Sequence, residues 1–239
     1  IPNLDTLAND PKSVLTHISD NNLFVETKAD YAKDMVTGFI KLDGITIGCV
    51  ANAEVEGNKT LSTAGANKAA DFVNFLDAFN IPILSLTNVA GYKATVEEEA
   101  TIAKAVAKLT FAFANATSPK INLVTGDAFG TSYVVMNSKS IGADIEYAWP
   151  TAKIGMMNPN EAVKIMYATD IEASDDKNSV ISEKTAEYAD IQASAMSAAK
   201  RGYVDDIIES AATRKRLVAA FEMLFTKREN RPIKKHGAV

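Results

Sequence analysis

The chain has 239 residues, enough for one large domain or two small ones, and its 47% hydrophobic content supports a sizeable core. A formal net charge of -5 gives nucleic-acid binding no electrostatic support. The single cysteine, Cys49, excludes an internal disulfide framework and a cysteine zinc cluster, and fits a reduced, cytoplasmic setting.

The opening Ile1-Pro2-Asn3-Leu4-Asp5 has no targeting character and no initiator Met, so a longer parent polypeptide is expected. No stretch approaches the roughly 20 apolar residues of a membrane span. Residues 1–35 read as polar and irregular, with a short helix over Pro11–Ile18. Strands follow at Val36–Leu42 and Ile45–Ala51. Asp43-Gly44 between them is a type I′ hairpin signal. Ser62 or Thr63 can cap a helix with Phe72, Phe75, Leu76 and Phe79 on one face. Asn80 ends it, and Pro82 opens the strand Ile81–Thr87, where a missing N–H is tolerated.

Thr95-Val96-Glu97-Glu98 is a capping box. The helix it starts carries Ile102, Val106, Leu109 and Phe113 on one face, and Pro119 closes it. Strand Lys120–Thr125 leads into a turn over Gly126–Ser132 and a helix to about Ser140. Strands are expected at Asp144–Ala148 and Ala152–Met157, then a helix from Asn158-Pro159 through Ala168. Asp170–Ser179 reads as an exposed loop and Ser182–Lys200 as an alanine-rich helix. Tyr203–Ile208 reads as a short buried strand. Ser210 is expected to cap a last helix with Leu217, Phe221, Leu224 and Phe225 toward the core. This order is α/β with short connections. No G-x-G-x-x-G follows a strand, which disfavours a dinucleotide fold. Paired strands before each helix fit a spiral of ββα units better.

Gly126–Ser132 carries the chemistry. An ordinary strand-to-helix connection would use the same glycines, Gly126 for a turn and Gly130 for close approach to the sheet. The functional alternative is an oxyanion hole, with the Thr131 and Ser132 amides pointing into an open pocket at a helix start. One such donor is worth about 3–4 kcal/mol of transition-state stabilisation. His17 and His236 read as surface or packing residues, Cys49 as core, and Asp175-Asp176 as solvated, so no metal site is expected.

Phe129-Gly130-Thr131-Ser132-Tyr133-Val134-Val135-Met136 resembles, without a gap, the Tyr-Gly-Gly-Ala-Tyr-Asp-Val-Met run of the carboxyltransferase subunits of biotin-dependent acyl-CoA carboxylases. Asn88-Val89-Ala90-Gly91-Tyr92 is similar to that family's Asp-Val-Pro-Gly-Phe loop. Tyr31–Phe39, Ser138-Lys139, Tyr147–Ala152, Gly202–Ile208 and Arg231-Pro232…Lys235-His236-Gly237 match as well. The likeness covers residues from about 10 to the C-terminus, yet only the C-terminal half of a full subunit. Glu98-Glu99-Ala100-Thr101 and Lys104-Ala105 depart from it, since the family has a Gly-Gly pair and an Arg-His there.

The resemblance implies a crotonase/ClpP-like ββα superhelix, with residues 1–239 as the biotin-side domain. It implies transfer of a carboxyl group between biotin on a carrier protein and the α-carbon of an acyl-CoA. It assigns the oxyanion-holding amides to Thr131 and Ser132 after Gly130, biotin contacts to Ala90, Gly91, Tyr92, Phe129 and Tyr133, and acyl-size selection to Val134. Amides holding the biotin ureido oxygen and the thioester oxygen would suffice, with the freed biotin nitrogen taking the α-proton. Implied partners are a CoA-binding N-terminal carboxyltransferase domain, the biotin carboxyl carrier protein, a biotin carboxylase or decarboxylase subunit, and further copies of the chain. Alternatives stay open: a biotin-dependent decarboxylase, a serine hydrolase using Ser132, and a non-catalytic assembly domain.

Overall fold

Asp43 and Gly44 both take positive φ, 50° and 78°, as a type I′ turn requires. They join β2 (Met35–Leu42) to β3 (Ile45–Asn52), and β1 (Val25–Thr27) pairs with the other side of β2. The computed structural model describes residues 3–231. Within them α1 (Pro11–Ile18) precedes this hairpin, with Asp10 accepting from Ser13 N at 3.2 Å as its cap.

After β3 the chain makes β4 (Thr60–Leu61), α2 (Thr63–Ala78), β5 (Ile83–Val89) and β6 (Gly91–Tyr92). Next come α3 (Val96–Glu99), α4 (Ile102–Asn115), β7 (Lys120–Phe129) and α5 (Gly130–Val135). Then follow β8 (Ile145–Ala148), β9 (Lys153–Gly155), α6 (Pro159–Met166), α7 (Ala168–Ala173), α8 (Lys177–Gln192), α9 (Ala195–Lys200), β10 (Asp206–Ile207) and α10 (Thr213–Leu224). Among the described residues the main sheet runs β1-β2-β3-β5-β7-β8-β10, parallel from β3 onward, with β9 beside the outer end of β7. A small second sheet pairs β4 with β6 in parallel. Each β3-β4-α2 and β5-β6-α4 stretch is a ββα unit. The ten-residue β7 serves both strand positions in the third, pairing β8 through Ile121–Val124 and β9 through Asp127–Phe129.

The sheet is buried on both faces, as parallel sheets are. Ile83, Val89, Val124 and Ala128 face α2, α4 and α5 with Val73, Leu76, Leu109 and Phe113. The alternate residues Leu84, Leu86, Ile121 and Leu123 face Leu15, Leu217 and Phe221 of α1 and α10. Full burial of one such side chain contributes about 1.5–3 kcal/mol. Cys49 lies in this second layer, fully buried, and burial raises its thiol pKa.

Several expectations change. The face of α2 on the sheet is Ala66, Ala69, Ala70, Val73 and Leu76. Leu76 fills the space over Gly48, where a Cβ would come within 2.3 Å of it, so small residues let the helix sit close. Phe75 and Phe79 are therefore exposed and pack on each other at 4.9 Å. The helix expected from Thr95 is broken at Ala100-Thr101, where Glu98 turns its carboxylate onto Thr63 N at 2.6 Å. The expected Asp170–Ser179 loop is partly α7 and the start of α8, which bury none of their residues and so show no apolar period. The Ser182–Lys200 helix is two helices, split where Ala193 O accepts from Ile154 N at 2.8 Å. Ser210 caps nothing; its hydroxyl donates to Asp5 Oδ1 at 3.1 Å, and Phe225 is exposed.

Candidate active site

The site forms where β5 and β7 end. Their register shifts between Thr87 and Val89, a local irregularity of the kind that re-aims side chains. Asn88, buried at the shift, accepts from Asp127 N at 2.9 Å and donates to Ala8 O and Asn9 Oδ1 at 3.0 Å each. Asp127 also pairs with Lys59 at 3.0 Å, tying the strand end to the segment before β4. Gly126 is not the expected turn; β7 runs straight through it to Phe129.

The turn is at Gly130, with φ of 60°. A Cβ there would meet Met156 O at 3.2 Å, and L side chains rarely adopt such φ. The helix it starts, α5, ends by Val135 rather than near Ser140. The N–H groups ahead of Tyr133 lie outside its ladder, and no side chain caps them. Thr131 and Ser132 take negative φ, so their side chains impose no glycine-only backbone. Thr131 is exposed. Ser132 is only 1% exposed and donates its hydroxyl to Phe129 O at 2.8 Å. That hydroxyl is spent locally. His17, on α1, is on the opposite layer with a ring nitrogen 2.7 Å from Ser13 O, so among the described residues no histidine base serves Ser132. His236 lies outside the described residues, as do Pro232, Lys235 and Gly237.

The fold brings the second predicted loop beside this helix. Gly91 and Tyr92 pair with Thr60 and Leu61, flanked by Ala90 N donating to Lys59 O at 2.7 Å and Lys93 N to Leu61 O at 3.0 Å. β6 packs against α5. A Cβ added to Gly91 would meet no atom within 4 Å, so its face is open. The Tyr92 hydroxyl is buried beside the Thr131 side chain without a partner of hydrogen-bonding geometry, and burial raises its pKa. Tyr92 also edges a hollow of about 670 Å³ lined by Asp34, Ser62, Lys93, Thr95 and Glu98.

The resemblance implied biotin contacts for Phe129 and Tyr133. The structure corrects their placement: they are 3% and 7% exposed, and Tyr133 points beneath α5. Val134 is half-buried against the core. Tyr133 OH donates to Glu146 Oε1 at 2.6 Å. Glu146 is fully buried on β8 and also accepts from Asn122 Nδ2 at 3.1 Å and Lys139 N at 2.6 Å. Burial pushes its carboxyl up to about 7. Burial and this carboxylate raise the Tyr133 phenol too. Sequence reasoning missed Glu146; its signal was one acid inside the apolar strand Ile145-Glu146-Tyr147-Ala148.

Comparison with known proteins adds to this geometry. The carboxyl transferase domain family matches residues 1–239. The chain is 43% identical over 231 residues to the propionyl-CoA carboxylase carboxyltransferase subunit of Haloferax mediterranei, covering 96% of this chain and 45% of that one. It is 39% identical over 246 residues to methylmalonyl-CoA decarboxylase subunit alpha of Propionigenium modestum, covering 100% and 48%. Among solved structures it is similar to a transcarboxylase 12S subunit, whose structure is of a hexamer assembly with methylmalonyl-coenzyme A bound. That match has a TM-score of 0.90 and 40% identity, covering 95% of this chain and 44% of that one. The chain thus spans about half the length of the curated relatives it matches.

Proposed function

Because this chain belongs to the carboxyl transferase domain family and has its crotonase-like α/β fold, we propose that residues 1–239 act as the biotin-side domain of a biotin-dependent acyl-CoA carboxyltransferase. The observation that carries the reading is the uncapped first turn of α5 lying beside the open face of Gly91. Amides in that position stabilise negative charge developing on a carbonyl oxygen without any ionisable side chain. Thr131 and Ser132 supply them, and the positive φ of Gly130 sets the turn that aims them.

Biotin fits this place. A flat ring approaches backbone closely where Gly91 leaves space. Ala90 and Tyr92 flank it, Val134 sits on the neighbouring helix to sense acyl size, and Phe129 and Tyr133 support the site from below. When bound, biotin on its carrier brings the carboxyl group to be transferred. This chain's own part is to hold the carbonyl oxygen, orient the ring and leave the other side open to an acyl-CoA.

The other side calls for a partner. Met156, whose backbone borders Gly130, is 87% exposed, and Met157 next to it in sequence and Ile165 and Met166 of α6 are exposed too. Apolar surface at a site's edge marks an interface. We assign it to a CoA-binding carboxyltransferase domain, in an assembly with further copies of this chain, a biotin carboxyl carrier protein and a carboxylase or decarboxylase subunit. The similarity to a decarboxylase subunit keeps transfer in the opposite direction as a second reading. Transfer of a carboxyl group from a carboxybiotin-loaded carrier to propionyl-CoA, measured with a CoA-side domain supplied in trans, tests the function. No turnover above the CoA-side domain alone would reject it.

A further inference from the structure

The helix that presents Thr131 and Ser132 has six residues and no side-chain cap. Isolated helices below about 12 residues are marginal in water, because nucleation costs more than one turn returns. Its aim is therefore set by what grips it from below, and the grips converge on two buried side chains. Ser85 Oγ and Thr87 Oγ1 donate to Asn122 Oδ1 at 2.9 and 2.8 Å, and Asn122 Nδ2 donates to Glu146 Oε1. Asn137 Nδ2 donates to Ser85 Oγ at 3.0 Å, and Thr87 Oγ1 lies 3.3 Å from Met136 O.

Glu146 holds the segment on both sides of this cluster. Its Oε1 takes the Tyr133 hydroxyl and its Oε2 takes the Lys139 amide. Its own backbone is pinned to Asp205, through Glu146 N to Asp205 Oδ2 at 2.8 Å and Asp205 N to Glu146 O at 2.8 Å. Lys139 Nζ pairs with the same Asp205 carboxylate. Tyr133 follows Ser132 directly, so a pull on its ring turns the first turn of α5.

We propose that Glu146 is a positioning residue: through Tyr133 and Lys139 it sets the direction of the Thr131 and Ser132 amides. The inference rests on the reading that these amides hold an oxyanion. It makes Glu146 part of the machinery although it touches no substrate.

The test is amide NMR on the 239-residue chain, following Thr131 and Ser132, with Leu109 and Phe113 of α4 as internal controls. Glu146→Ala and Tyr133→Phe should each displace both site resonances, leaving α4 unmoved. Glu146→Gln keeps an acceptor for Tyr133 and should restore most of the wild-type pattern. If Glu146→Ala fails to fold, Tyr133→Phe, which removes a single oxygen, decides. Site amides unchanged in Tyr133→Phe would overturn the proposal. Adding free biotin to wild type tests the underlying reading separately. Thr131 and Ser132 amides unmoved by biotin would remove the oxyanion role and leave the mechanical coupling standing.

Discussion

Asn88 Oδ1 lies 2.5 Å from where a Cβ of Gly126 would stand, and it accepts the very next amide, Asp127 N. The two residues lock the ends of β5 and β7 together. Gly126→Ala should expel the Asn88 side chain and destabilise by about 2–3 kcal/mol, from overpacking and the freed amide. Gly91→Ala, in open space, should stay within about 0.5 kcal/mol of wild type. Urea unfolding of the pair checks both, and equal losses would contradict this geometry.

Free biotin should bind weakly beside Gly91, Tyr92 and Val134, since a tethered carrier delivers it at high effective concentration. Chemical-shift perturbation reads the site. Gly91→Val should abolish the shifts without loss of fold, because no atom of the chain crowds that position. Shifts elsewhere, or insensitive to the valine, would show the site is misplaced.

Glu146 makes stability pH-dependent with a defined sign. Burial raises its pKa from 4.5 to about 7, against the acceptor-favouring hydrogen bonds from Tyr133, Lys139 N and Asn122 and with Asp205 adding repulsion. The folded state binds the proton more tightly than the unfolded one. Its contribution is full below about pH 4.5 and is lost as pH rises through about 7, roughly 3 kcal/mol in total. Glu146→Gln lacks this titration. It should therefore gain on wild type between pH 5 and pH 8 in denaturant unfolding; a constant difference would refute the shift.

The isolated chain should self-associate and yet show no acyl-CoA carboxylation. The exposed Met156, Ile165, Met166 and Met196 supply the association surface. Light scattering and a transcarboxylation assay with methylmalonyl-CoA read the two halves. A clean monomer would defeat the first and robust turnover the second.

Much of the frame was legible because it is local. The α1 limits, the Asp43-Gly44 hairpin and the Ser62 cap, which accepts from Gly65 N at 2.9 Å, depend on neighbours in sequence. The resemblance located Gly130–Ser132 and Gly91, and the fold sets them side by side. The support beneath was not legible. It joins Ser85, Asn122, Tyr133, Glu146 and Asp205, whose meeting depends on sheet order rather than on spacing. The early end of α5 was hidden too, since Met136 and Asn137 read as helix but leave it, Asn137 at φ of 61°.

The β4–β6 ladder divides the chain's tolerance for change. Inside it, Gly91 and Tyr92 are held at fixed height by Thr60, Leu61 and the carbonyl of Lys59. Beyond it, residues 93–101 hang on the outer side, exposed for the most part and moored to α2 through Glu98 and Thr101. Drift in that outer segment is absorbed by the mooring before it reaches the loop. The ladder thus acts as a firebreak, and the outer stretch can be rewritten while the inner one keeps its place.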